Sequence, residues 1–143
     1  LVERLTQAGI PVCAHIGLTP QSVNQLGGFK VQGKDIAAAQ KMIDDAKALE
    51  AAGAFACVLE CVPAALAAKV TAELKTMATI GIGAGPGTDG QVLVMHDMLG
   101  INQGFSPRFL RRYADLASIM HDAVGHYIDD VKSGDFPTKE ESY

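Results

Sequence analysis

Phe55-Ala56-Cys57-Val58-Leu59-Glu60-Cys61-Val62-Pro63 is a run of strand-forming apolar residues that ends on a carboxylate and is stopped by proline. Side chains alternate along a strand, so Ala56, Val58 and Glu60 share one face while Cys57, Leu59 and Cys61 share the other. Apolar residues on both faces belong to a strand covered on both sides, the pattern of parallel sheets. An ionised carboxylate among Val and Leu is costly unless it is paired or sits at a solvated edge. The C-terminal rim of parallel strands is where α/β folds place their chemistry, which makes Glu60 a candidate acid or base. The competing reading is a structural Glu that caps a neighbouring helix.

Outward from this strand the chain repeats as strand, loop, helix. Ile10 to Ile16 reads as a first strand entered through Pro11. Gly17 to Lys34 is a long Gly-rich loop, and loops beyond about 12–15 residues inside a compact domain are usually functional. Asp35 offers an N-cap to a helix with Ile36, Ala39, Ile43, Ala46 and Glu50 on one face, closed by Gly53. After the Glu60 strand, Pro63 to about Lys75 reads as a helix with the stripe Leu66, Val70 and Leu74. Met77 to Gly83 is a third strand and Gln91 to Met95 a fourth, too short to separate from a helical turn. Ser106 and Pro107 open a helical segment over 106–133, with Phe109, Tyr113, Leu116, Met120, Val124, Tyr127 and Val131 as its stripe. Asp115 is a point at which that segment can reset into two helices.

Strands alternating with helices predict parallel βα units, in a small doubly wound sheet or in half of an eight-stranded barrel. A complete barrel takes about 250 residues, and the sequence has 143. The opening Leu1-Val2-Glu3-Arg4-Leu5 lacks Met and reads as the last turns of a helix, so the expectation is a half-barrel that starts in mid-fold. Residues 1–143 are accordingly expected to be one partial domain.

Composition narrows the function classes. With 48% hydrophobic and 20% charged residues, the chain has the balance of a globular protein with a core. A net charge of −4 argues against a nucleic-acid surface. No apolar run approaches the roughly 20 residues that span a bilayer, so no membrane partner is expected. Three cysteines without a CxxC pair read as reduced thiols in a cytoplasmic setting rather than a disulfide framework. Cys57 and Cys61, opposite Glu60, read as small hydrophobes.

Further candidates compete with plain readings. His15, near the end of the first strand, can serve as a substrate-binding or proton-carrying group at the same rim as Glu60, or be satisfied by backbone. Gly85, Gly87 and Gly90 satisfy G-x-G-x-x-G, but Pro86 stiffens the turn and no paired βαβ unit follows. These glycines instead suit a close backbone approach to a ligand at the mouth. His96, Asp97, His121 and His126 form no three-ligand set, so no metal ligand is expected in this chain. Lys30 and Lys34 read as solvated charges or as an anion lure, and Arg108, Arg111 and Arg112 as a basic helix face.

Five blocks then carry a resemblance: Pro11-Val12-Cys13-Ala14-His15-Ile16-Gly17-Leu18-Thr19-Pro20-Gln21-Ser22-Val23, Gly27-Gly28-Phe29-Lys30-Val31-Gln32-Gly33, Val58-Leu59-Glu60-Cys61-Val62-Pro63, Ile80-Gly81-Ile82-Gly83-Ala84-Gly85 and Thr88-Asp89-Gly90-Gln91-Val92-Leu93-Val94-Met95-His96-Asp97. In this order they closely resemble ketopantoate hydroxymethyltransferase, over the C-terminal half of that family's length. The resemblance implies a (βα)8 TIM barrel of the group that includes phosphoenolpyruvate mutase and isocitrate lyase. It implies transfer of a one-carbon unit from 5,10-methylenetetrahydrofolate to 3-methyl-2-oxobutanoate, giving 2-dehydropantoate on the way to pantothenate and coenzyme A. It implies Mg²⁺ holding the oxo acid, Glu60 as the proton acceptor at C3, His15 near bound substrate, and a homo-oligomer. The family's metal-binding carboxylates and substrate-binding Ser and Lys belong to its N-terminal half, so no residue here is assigned to them. The isolated chain is therefore expected to be inactive. Two other readings stay open: a related barrel enzyme that makes or breaks a carbon–carbon bond in an oxo acid, and a non-catalytic barrel fragment.

Overall fold

A computed structural model of the chain describes residues 1–104 and 106–143. It divides into two compact units, Leu1–Val92 and Leu93–Tyr143.

The first unit is an α/β layer. Helix α1 (Val2–Gln7) precedes β1 (Cys13–Gly17), α2 (Ile36–Ala51), β2 (Ala56–Glu60), α3 (Ala64–Glu73), β3 (Ala78–Ile82) and the two-residue β4 (Gly90–Gln91). The four strands form one parallel sheet in the order β1-β2-β3-β4, the arrangement expected of part of a βα barrel. Cys13, His15 and Gly17 stand level with Ala56, Val58 and Glu60, and those with Ala78, Ile80 and Ile82. Level partners in a parallel sheet share a face, so these nine positions make one surface.

The opposite surface is the core. Ala14, Cys57 and Leu59 pack against Met42, Ile43 and Ala46 of α2 and Leu66, Ala67 and Val70 of α3. Cys57 and Leu59 have no exposed surface. Burial pushes the Cys57 thiol up to about 12, which makes it a small apolar filler with no thiolate chemistry at neutral pH. Thr79 is a buried polar residue of this layer, and its N–H and hydroxyl both donate to Asp89, at 2.8 and 3.0 Å. Buried polar groups persist when they are paired in this way.

Asp35 caps α2 as its residue type demands, accepting the Ala38 N–H at 2.8 Å. Ile36, placed on the buried stripe by its spacing, is 91% exposed because packing begins only at Ala39, a turn further on. Met42 takes its place in the core. Leu74 falls one residue past the end of α3 in extended backbone and is half-buried.

The β3 to β4 crossover is made without a helix. Its glycines press on α3: a Cβ at Gly85 would sit 2.4 Å from the Ala64 Cβ, and one at Gly87 2.7 Å from the Ala68 Cβ. Ala64 and Ala68 are one helical turn apart, so the loop descends the helix with a glycine at each contact. The close approach expected of a ligand is made at Gly85 and Gly87 by a neighbouring helix instead. No helix opens behind them at which a phosphate would dock, so the G-x-G-x-x-G spacing has no dinucleotide geometry.

The second unit holds α4 (Met95–Met98) and α5 (Leu116–Ser133). Val94, expected within a strand, instead starts α4 by accepting the Asp97 and Met98 N–H groups. The helix expected from Ser106 starts at Leu116, ten residues later, with Asp115 as its cap. The intervening backbone spends its donors elsewhere: Tyr113 N–H on Met98 and Leu116 N–H on Leu99. Arg108, Arg111 and Arg112 consequently lie on irregular backbone and form no helix face. No helix among the described residues is long and apolar enough to cross a membrane.

Candidate active site

Glu60 is the last residue of β2 and points to the sheet surface away from α2 and α3. Its Oε2 lies 3.1 Å from His15 Nε2, with the two side chains 17% and 32% exposed. Sequence spacing placed both at one rim, and the register explains the encounter: His15 stands level with Val58, one pleat below Glu60 on the same face. His15 Nε2 is itself buried and makes no aligned hydrogen bond, so it faces the carboxylate at close range but off-line. A polar atom in that state has capacity left for a ligand atom or a reoriented carboxylate. A cleft of about 710 Å³ runs beside β1, lined by Cys13, His15 and Ile16 together with residues of α1 and α2. Glu60 is not among its walls.

The rim is held by backbone. The Glu60 carbonyl accepts the Leu18 N–H at 2.8 Å, and the Cys61 N–H donates to Ile82 at 2.9 Å. The Cys61 carbonyl in turn accepts the Gln32 N–H at 2.9 Å. Gly17 permits this closeness, since a Cβ there would lie 2.3 Å from the Glu60 carbonyl oxygen at a φ of +90°. Cys61 adopts a φ of +50°, a conformation non-glycine residues rarely take. That twist ends the alternation, and Cys61 does not pack beneath the helices with Cys57 and Leu59 as its position suggested. Its thiol is pushed up first by burial and then by the nearby Glu60 carboxylate.

Sequence reasoning missed one carboxylate. Glu50, assigned to the apolar stripe of α2, accepts the N–H groups of Lys75, Thr76 and Met77 at 2.7, 2.6 and 3.0 Å. These donors hold its carboxyl at about 2. The signal was its place at the helix end opposite a turn that leaves three donors free; its role is to fasten that turn below β3. Among the described residues, no group of three His, Cys, Asp or Glu could hold a metal ion. His96 and Asp97 lie on α4, where Asp97 accepts the Asn102 amide at 3.1 Å, and His121 sits exposed on α5 beside Asp122.

Comparison with known proteins gives the arrangement its context. The family model for ketopantoate hydroxymethyltransferase matches residues 1–139. The 3-methyl-2-oxobutanoate hydroxymethyltransferase of Carboxydothermus hydrogenoformans is 59% identical over 143 residues, which is all of this chain and 51% of that protein. The protein of the same name from Parabacteroides distasonis is 61% identical over 142 residues, 99% of this chain and 52% of its own. The chain thus spans about half the length of the curated relatives it matches, their C-terminal portion. A match along nearly its whole length places the chain in the ketopantoate hydroxymethyltransferase family.

Proposed function

We propose that this chain supplies the proton-abstracting half of an enzyme that transfers a hydroxymethyl group to 3-methyl-2-oxobutanoate. The one-carbon donor is 5,10-methylenetetrahydrofolate, the product is 2-dehydropantoate, and the setting is cytoplasmic pantothenate synthesis by a homo-oligomer. The observation that carries the reading is the Glu60 carboxylate at a β-strand's C-terminal end, on the sheet face opposite α2 and α3, with His15 Nε2 at 3.1 Å.

Glu60 takes the proton from C3 of the oxo acid, leaving the electron pair in an enolate. The enolate carbon bonds to the one-carbon unit; overall one water is consumed and tetrahydrofolate is released. His15 orients the oxo acid beside Glu60, in keeping with its unused Nε2. Mg²⁺ does not fit the residues present, since Glu60 and His15 alone make no metal site. In this reading its ligands come from outside the chain.

The test joins this chain to the N-terminal half of the C. hydrogenoformans relative and follows formation of 2-dehydropantoate. The joined protein is expected to turn over and the chain by itself to show no product above background. Full activity from the chain alone, or an inactive but folded joined protein, contradicts the proposal.

A further inference from the structure

The loop between β1 and α2 is fastened at two successive carbonyls, that of the candidate base Glu60 and that of Cys61 after it. At one foot the Leu18 N–H binds the Glu60 carbonyl at 2.8 Å, with the Leu18 side chain 3% exposed. At the other, the Gln32 N–H binds the Cys61 carbonyl at 2.9 Å, and Gly33 packs against Leu66 and Met42 so closely that a Cβ would lie 2.6 Å from Leu66. Internal bonds shape the span between: Leu26 N–H to Ser22, Gly28 N–H to Val23, Lys30 N–H to Gly28, and the Gln32 amide to the Lys30 carbonyl. This is a closed-ended surface loop with its own structure, the kind that commonly carries function.

Its contents are specific. Phe29 is 77% exposed although the loop has a local framework in which to bury it. Lys30 follows, exposed, with its Nζ folded over Gly27 and no ion pair with any described residue. From Gly17 to Lys34 there are two lysines and no acid, in a chain whose net charge is −4. Lys30 is two residues from the Gln32 anchor, so its backbone lies within about 7 Å of that residue's along the chain, within side-chain reach of the rim. An aromatic ring and a cation side by side suit a ligand with a flat ring system and an anionic tail. A five-carbon oxo acid has no such ring, whereas a folate-type donor has both parts.

We propose that the loop 18–32 is the seat of the one-carbon donor, Phe29 stacking on its heteroaromatic ring and Lys30 pairing with a carboxylate of its tail. The inference rests on the function proposed above and adds residues for the co-substrate. Because both feet of the loop hang on the Glu60–Cys61 segment, the proposed seat belongs to the same rim as Glu60.

The test uses the joined protein with Phe29→Ala and Lys30→Gln. Each raises the KM for 5,10-methylenetetrahydrofolate about tenfold while the KM for the oxo acid stays within about twofold, and Lys30→Arg restores most of the loss. Binding of tetrahydrofolate, titrated in a Glu60→Gln background that does not turn over, weakens by a similar factor. Both positions are exposed, so unchanged melting temperatures separate this effect from misfolding. Donor KM and tetrahydrofolate affinity unaltered in both variants overturn the inference, as does a rise confined to the oxo acid. If Glu60→Gln instead leaves turnover near its original rate, the base assignment fails, while the binding titration, which needs no turnover, still decides the loop.

Discussion

Glu60 and His15 were legible as a pair because each ends or nearly ends an apolar run, and a two-residue period puts both on one face once the strands pair in parallel. What the sequence did not disclose is how the rim is locked. Gly17 is the hinge of that lock, with a φ of +90° and the Glu60 carbonyl oxygen in the space a methyl would need. Gly17→Ala is expected to cost about 1–2 kcal/mol for the left-handed backbone alone, with more from the collision. Since the atom displaced belongs to Glu60, turnover of the joined protein should fall by more than the loss of folded protein explains. Parallel measurement of melting temperature and rate checks this; a destabilised protein with normal kcat in its folded fraction contradicts it.

Among the elements, α2, β2 and α3 follow their periodicity closely, because burial against one another enforces it. The misplacements have a common cause. Ile36, the fourth strand and the Ser106 start all lie where local pattern meets no packing partner, or where backbone donors are spent on a neighbour instead. Glu50 shows the converse, a charge that the helical period had grouped with the core and that three N–H donors hold in place. Its carboxyl at about 2 lies below the ordinary 4.5, so the folded state favours the ionised form. The stabilisation is complete above pH 4.5 and fades as pH falls toward 2. Glu50 is close to the surface, so after screening by solvent the contribution is on the order of 1 kcal/mol. Denaturant unfolding of the chain and of Glu50→Gln should therefore give stabilities that differ at pH 6 and converge toward pH 2. A constant gap across that range rules the carboxylate out as the cause.

At the level of the whole molecule, the parallel sheet and its helices are what residue patterning predicts, and family membership follows from similarity along nearly the entire chain. The surface bearing His15 and Glu60 is only partly covered, and among the described residues β1 pairs on one side alone, with a cleft along its other side. An unpaired strand edge seeks a partner, and in the proposed enzyme the remainder of the barrel is that partner. In that proposed enzyme Glu60 removes the C3 proton of the oxo acid. The most direct test of that role is exchange of that proton for deuterium in D₂O, followed by NMR on 3-methyl-2-oxobutanoate with the joined protein and no one-carbon donor. Catalysed exchange is expected, falling by about 10²–10⁴-fold in Glu60→Gln at an unchanged melting temperature. Exchange that persists in Glu60→Gln within a few-fold of the original rate contradicts that role.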